Sequence, residues 1–407
     1  MPDHPTDPSI RLLDRHFYTD PWDGFRFMRE KAPVYWDEVG DEGGGIWGLS
    51  RYEDIMLASK KPKLFCSGKS SRPEIDSWIP SMINLDDPLH RRRRNLVNKG
   101  FTKRRVEDHE PKVRKLANEL IDAVIERGEC DFVKDIAAWI PMVVIGDMLG
   151  VEPEDRDRLL RWSDEMMGGG EIAELPDEER IKRQRAVGDD YNEYALGVID
   201  QRKRDARDDL MGILVRGEVD GEKLTTEEIL MESLLILIGG DETTRHVMTG
   251  GLEQLILHPD QKQKLVDDPA LIPTAVEEML RWVSPIKNMN RTLLEDTELR
   301  GQKMREGDRV LLLYPSGNRD AAHFPNPDAF DVTRTPNDHV AFGGFGAHFC
   351  LGASLARLEL RIAFEEVLRR MPDVELATEE PLRLRPSNFI VGIEEMPIRF
   401  SPGPREG

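Results

Sequence analysis

The sequence predicts a mainly α protein with small β-sheets, and three observations carry that prediction. Helical periodicity dominates the chain, strand-like runs are few and short, and no repeat or low-complexity linker divides it. A chain of 407 residues, 39% hydrophobic and 33% charged, can bury a large core. That composition excludes disordered, collagenous and disulfide-framed classes.

In chain order, the apolar runs 34–36 and 46–49 read as short strands, with the Gly-bearing stretch 40–45 between them as a surface loop. Apolar residues then recur at helical spacing over 113–127 and 191–204. Between those segments, 168–180 (GGGEIAELPDEER) reads as a loop, either a plain solvated one or a mobile lid, and 216–226 as another surface loop. Thr225-Thr-Glu-Glu228 is a capping-box signature that opens a helix over Thr226–Leu257, roughly 48 Å long at 1.5 Å per residue. Pro273 opens and Pro285 closes a short helix over 273–282. Arg309–Leu313 and 390–393 are the remaining strand candidates, and 351–370 is helical.

Lys and Arg total 57 against 77 Asp and Glu, a formal charge of −20. This balance argues for solubility and against nucleic acid or anionic membrane as a general partner. The stretch 91–115 reverses it, with eleven Lys/Arg and three Asp/Glu. Three scattered cysteines, Cys66, Cys130 and Cys350, argue against a disulfide framework or structural zinc and for a cytoplasmic protein. No signal-like apolar region opens the chain, and the apolar uncharged stretch 136–146 is too short to cross a bilayer, so no membrane anchor is expected.

The most informative segment is Phe342-Gly-Gly-Phe-Gly-Ala-His-Phe-Cys-Leu-Gly352. Its glycines allow the backbone to lie against a flat ligand, while Phe342, Phe345 and Phe349 supply apolar cover. Cys350 falls just before a helix, where free N–H groups and the macrodipole favour the metal-binding thiolate. A second unusual run, Ile238-Gly-Gly-Asp-Glu-Thr-Thr244, lies mid-helix, where two glycines cost about 1 kcal/mol each. Such glycines permit close approach of a flat cofactor, and an acid beside a hydroxyl can pass protons.

These segments resemble the cytochrome P-450 family of haem-thiolate monooxygenases, and the resemblance covers nearly the whole chain. It implies the cytochrome P-450 fold, with a large α-rich part and a β-rich lobe, and heme b (iron protoporphyrin IX) as cofactor. Cys350 then corresponds to the axial iron ligand. Gly343 stands where the family commonly has Phe, with Phe342 one residue further back, as in the longer loop of some bacterial members. Glu242 corresponds to the proton-relay acid and Thr243 to the hydroxyl facing dioxygen, with Asp241 directed to solvent or a salt bridge. Gly239 and Gly352 approach the haem. His90 and Arg94 in Asp87-Pro-Leu-His-Arg-Arg-Arg-Arg94, Arg291 in Asn288-Met-Asn-Arg291, and His348 match partners of the haem propionates.

The family's Glu-x-x-Arg pair is not selected by pattern alone, since Glu242/Arg245, Glu278/Arg281, Glu306/Arg309, Glu366/Arg369 and Glu380/Arg383 all fit. The bracketing prolines select Glu278 and Arg281, with Arg334 as third member, in a structural role. Motifs from residue 90 to residue 350 around one cofactor favour a single domain over 1–407. No dinucleotide fingerprint in a βαβ unit or iron–sulfur cysteine cluster is present, so electrons are expected from a ferredoxin and an NAD(P)H-dependent ferredoxin reductase. The outward cations of 91–115 would receive that acidic carrier, or form an ordinary solvated face.

Segments 78–82, 166–172, 235–239, 285–289 and 387–391 correspond to the substrate walls and are mostly apolar. LLILIGGDETTRH, EEMLRW with PIKNMNR, and RPSNFIVG look closest to actinobacterial oxidases of the cholesterol or cholestenone side chain. The expected substrate is a sterol or long-chain lipid. The alternatives are a fatty acid, terpene or macrolide oxidised in secondary metabolism, or a haem- or lipid-binding protein without turnover.

Overall fold

The computed structural model describes residues 5–39, 44–73, 79–173 and 175–407. The helices are α1 (Trp22–Lys31), α2 (Tyr52–Lys60), α3 (Leu89–Val97), α4 (Lys103–Asp108), α5 (Glu110–Val124), α6 (Trp139–Leu149) and α7 (Arg156–Met166). They continue with α8 (Asp177–Arg204), α9 (Leu210–Arg216), α10 (Thr226–Leu257), α11 (Pro259–Asp267), α12 (Ile272–Val283), α13 (Tyr314–Gly317) and α14 (Ala353–Arg370).

Helix α10 has the bounds its capping box predicts. The Thr225 hydroxyl accepts the Glu228 N–H at 3.2 Å, and the Glu228 carboxylate accepts the Thr225 N–H at 2.8 Å. It forms the axis of the main core, contacting α6, α12 and α14. The α6 crossing depends on Gly240, where a Cβ would lie 2.6 Å from Ile145 Cγ1. Helix α6 is apolar on every side and buried along most of its length, as a helix enclosed by others must be.

The principal sheet has the order β1-β2-β10-β7-β3, formed by Val34–Glu38, Gly45–Leu49, Arg309–Leu313, Asn288–Leu293 and Phe65–Cys66. Strand β10 runs parallel to β2 and antiparallel to β7, with Val310 opposite Arg291. A second sheet joins β11 (Glu375–Leu376), β12 (Pro397–Arg399) and β4 (Glu129–Asp131). Two hairpins, β5–β6 (Glu218–Val219, Glu222–Lys223) and β8–β9 (Thr297–Leu299, Gln302–Met304), lie apart.

Four expectations are corrected. The 113–127 helix is α5, which starts earlier because Pro111 is accommodated in its first turn. The 191–204 helix begins at Asp177, which shortens the 168–180 loop. Residues 177–190 are too polar to show an apolar stripe, and α8 buries only about one residue per turn, Val187, Tyr191, Ala195 and Ile199 among them. The 216–226 loop contains the β5–β6 hairpin, turned by Asp220 and Gly221 at φ 59° and 84°. Segment 390–393 makes only the isolated bridges Ile286↔Ile390 and Leu384↔Ile393. The expected loop at 40–45 lies largely outside the described residues. Among the described residues, no helix is long and apolar enough to cross a membrane.

Candidate active site

Three consecutive left-handed residues, Gly343, Gly344 and Phe345 at φ 94°, 69° and 54°, turn the cysteine loop back on itself. The Cys350 N–H thereby donates to the Phe342 carbonyl at 2.9 Å. Phe342 packs edge-on to Phe349, with ring centroids 6.0 Å apart, and the Arg357 guanidinium covers its other side at 4.7 Å. Phe345 is exposed and stacks on Phe349 at 5.4 Å. Burial pushes the Cys350 thiol up, outweighing the Gly352 and Ala353 N–H groups and the Arg94 and Arg357 guanidiniums, which pull it down. The helix N-terminus and the two guanidiniums therefore do not offset burial at this sulfur.

At the midpoint of α10, Gly239 is exposed although the helix around it is largely buried, and a Cβ there would meet no atom within 4 Å. One turn on, the half-buried Thr243 hydroxyl donates to the Gly239 carbonyl at 3.0 Å. Gly239 and Thr243 thus share one open face of the helix. Glu242 points elsewhere, into an ion cluster in which it is fully buried with Arg245 and Arg385. Its carboxylate accepts from Arg245 at 2.8 and 2.9 Å and from Arg385 at 2.8 Å, with His246 Nε2 3.4 Å away. Asp164 bridges the same two arginines. Burial would raise the Glu242 carboxyl, but Arg245, Arg385 and His246 hold it well below the ordinary carboxylate range.

Sequence reasoning missed Asp164 and Arg385, which lie far from Glu242 along the chain. Its local signal was the Glu242/Arg245 pair, one of the competing Glu-x-x-Arg matches. The expectation for Asp241 is overturned. It is fully buried and, among the described residues, has no cation partner for its carboxylate, with Ser163 as its polar neighbour. Burial and the Glu242 charge push its carboxyl up, and Glu359 of α14 is raised by its own burial and then by Asp241.

The four expected cations converge from α3, β7 and the cysteine loop. The rings of His90 and His348 lie 4.0 Å apart, and a His348 ring N–H donates to the Leu85 carbonyl. Arg94 donates to the Ala347 carbonyl at 3.3 Å and to that of Phe349, and Arg291 to the Asn290 carbonyl at 2.7 Å. Burial together with Arg291, His90 and Arg94 drives the His348 imidazole far below its ordinary range. Among the described residues, neither Arg94 nor Arg291 has a carboxylate partner. Two uncompensated guanidiniums beside two imidazoles form a donor set for a pair of carboxylates. With Cys350 and the cradle at Gly239, these residues fit the haem that the resemblance implies. At Gly352, a Cβ would have only Cys350 Sγ as neighbour, at 4.0 Å.

Beneath this face, Glu278 accepts from Arg281 at 2.7 and 2.8 Å, Arg334 at 3.0 Å, Asn337 at 3.1 Å and the Asp331 N–H at 2.9 Å. Arg281 also donates to the carbonyls of Asn318, Pro327 and Ala329, tying α12 to the segment that leads into the cysteine loop. The basic stretch splits. Arg93 and Arg114 turn inward to glutamates, while Arg91, Lys103, Arg104 and Lys115 remain exposed. The apolar segments 285–289 and 387–391 are paired through Lys287 N–H to the Phe389 carbonyl at 2.8 Å and Val391 N–H to the Pro285 carbonyl at 3.1 Å. Trp78 lies outside the described residues.

The Cytochrome P-450 family model matches residues 49–398. A steroid C26-monooxygenase of Mycolicibacterium smegmatis is 48% identical over 98% of this chain and 97% of its own length. A methyl-branched lipid omega-hydroxylase of Mycobacterium tuberculosis is 41% identical over 93% of this chain and 90% of its own. Among solved structures, a Mycobacterium marinum cytochrome P-450 in complex with pseudoionone aligns with a TM-score of 0.91 at 33% identity, covering 97% of this chain and 99% of that one. With the cysteine loop, the cation cluster and the cradled long helix in place, these matches show that the chain belongs to the cytochrome P-450 family of haem-dependent monooxygenases.

Proposed function

We propose that this protein hydroxylates the side chain of a sterol, or a similarly long branched lipid, with Cys350 as the residue that would bind the iron of heme b. The observation that carries this reading is the convergence of Cys350, His90, His348 and two carboxylate-free arginines, with the open position at Gly239 on α10 as support. The bound haem supplies dioxygen activation at its iron. Arg94, Arg291, His90 and His348 hold its propionates, and Phe342 and Gly352 pack beside the sulfur. Gly239 admits the ring, and Thr243 Oγ1 holds a hydroxyl at the reacting face. Glu242 is assigned as the acid that would re-supply Thr243; Arg245 and Arg385 hold it ionised and turned away, so the relay requires Glu242 to leave those arginines. The apolar walls exclude water, and the names of the relatives support sterol and methyl-branched lipid as the substrate class.

The whole chain 1–407 acts as one cytoplasmic domain. The exposed cations Arg91, Lys103 and Arg104 receive an acidic ferredoxin fed by an NAD(P)H-dependent reductase. A spin-state titration tests the substrate. Cholestenone or a methyl-branched fatty acid is expected to shift the haem spectrum, and a shift by a macrolide or terpene alone would overturn the substrate class.

A further inference from the structure

We propose that Glu232 is a positioning residue for substrate, holding the 79–85 segment against α10. The proposal rests on the reading above only in taking that segment as a wall of the substrate cavity. Glu232 is fully buried, seven residues before Gly239 on the same helix. Its Oε1 accepts the Met82 N–H at 2.7 Å and Arg93 Nη1 at 3.1 Å. The other end of the same guanidinium pairs with Glu228, one turn earlier on α10. Arg93 of α3 therefore straddles two carboxylates of α10, and one of those carboxylates grips the backbone of the loop.

The loop is held again at its far end. The Leu85 carbonyl accepts from the His348 ring, and His90 stacks on His348. Within it, Ser81 N–H donates to the Ile79 carbonyl at 2.8 Å, and Asn84 Oδ1 accepts the Ser71 N–H at 2.8 Å. Ile79 and Ile83 stay half-exposed on this short turn. The turn is thus suspended between α10 and the cysteine loop, and displacing Met82 displaces both isoleucines.

Fold stability does not explain the residue. A buried carboxylate is costly where an apolar side chain would pack, and among the described residues Glu232 Oε2 has no hydrogen-bond partner. What a carboxylate adds is a directed, charge-assisted grip on a backbone N–H. Burial raises Glu232 to about 7, against the pull of Arg93 and the Met82 N–H. The charged groups facing it are Arg93 from α3 and Glu228 from its own helix; α8 contributes only the neutral Tyr191, bonded to Ser233 at 2.9 Å.

The test compares wild-type holoprotein with Glu232→Ala and Glu232→Gln. Hydrogen exchange of the peptide containing Met82 needs no substrate. It is expected to accelerate at least tenfold in the Ala variant and less in the Gln variant, whose amide oxygen still accepts. Titration with cholestenone and with a methyl-branched fatty acid is expected to show about 10- to 100-fold weaker binding in the Ala variant, the cost of one charge-assisted hydrogen bond. The thiolate-type CO spectrum and the rate at saturating substrate are expected to be unchanged. Wild-type affinity should fall as pH drops through about 7, while the Gln variant stays flat. Unchanged exchange at Met82 in the Ala variant, or faster exchange with wild-type affinity, would overturn the proposal. If neither probe shifts the wild-type spectrum, the substrate reading fails separately, and the Met82 exchange rate decides the anchor.

Discussion

Lys287 stands in the apolar segment that leads into β7 and on to Arg291, and its ammonium is fully enclosed. It donates to the Val283 carbonyl at 3.1 Å and the Ser284 carbonyl at 3.0 Å, capping the end of α12. Among the described residues it has no carboxylate partner, and Arg319 is the charge it feels. Burial, with Arg319, lowers it from an ordinary value of 10.5 to about 7. The unfolded chain therefore holds a proton that the folded chain loses between those two values, so stability rises with pH across that window. The penalty is complete below about pH 7 and amounts to about 5 kcal/mol at 1.36 kcal/mol per tenfold. Replacing Lys287 by Met removes the penalty but also two hydrogen bonds, at about 1 kcal/mol each. Lys287→Met should be more stable than wild type by about 3 kcal/mol near pH 6, and less stable by about 1 kcal/mol near pH 9.5. For a chain of 407 residues these differences correspond to about +4 and −1 °C in Tm. Calorimetric scans of both holoproteins across that range test the reasoning. Parallel Tm curves with no change of sign would refute it.

Arg281→Ala removes a guanidinium that makes five hydrogen bonds and leaves Glu278 buried with Arg334 as its remaining cation. The expected loss is about 3–5 kcal/mol, or about 4–6 °C in Tm, with reduced haem retention read from the Soret absorbance. Asp241→Asn removes a carboxyl whose raised folded value makes folding take up a proton, so the wild type loses stability as pH rises above the ordinary carboxylate range. The variant should gain about 1–3 kcal/mol at neutral pH and little at acid pH; a loss at every pH in thermal melts would contradict this. Thr243→Ala should keep substrate binding and the CO spectrum but release peroxide in place of product, which a ratio of product to NAD(P)H consumed measures.

Local chemistry made α10 and α14 legible. Thr225 and Glu228 announce one helix start, and the glycines around Cys350 mark the turn before the other. The first half of α8 and the whole of α6 escaped for opposite reasons. Residues 177–190 are polar enough to hide α8, and α6 is apolar all round and so has no face to detect. In the site, His90, Arg94, Arg291, His348 and Cys350 were each recognisable from neighbours in sequence, and the fold brings them together. The surroundings of Glu242 were not recognisable, because Asp164 and Arg385 reach it from α7 and from the C-terminal segment. Asp241 and Glu232 were misread or overlooked for a shared reason. A charged residue on a helix is taken for a solvated one until packing shows it buried.

The central claim is that Cys350 binds the haem iron as a thiolate. The measurement that tests it most directly is the absorption spectrum of the reduced, CO-bound protein, for wild type and Cys350→Ala. The account predicts the red-shifted thiolate band in the wild type and its complete loss in a folded, haem-containing Cys350→Ala. Survival of that band in the variant, or its absence from the wild type, would contradict it.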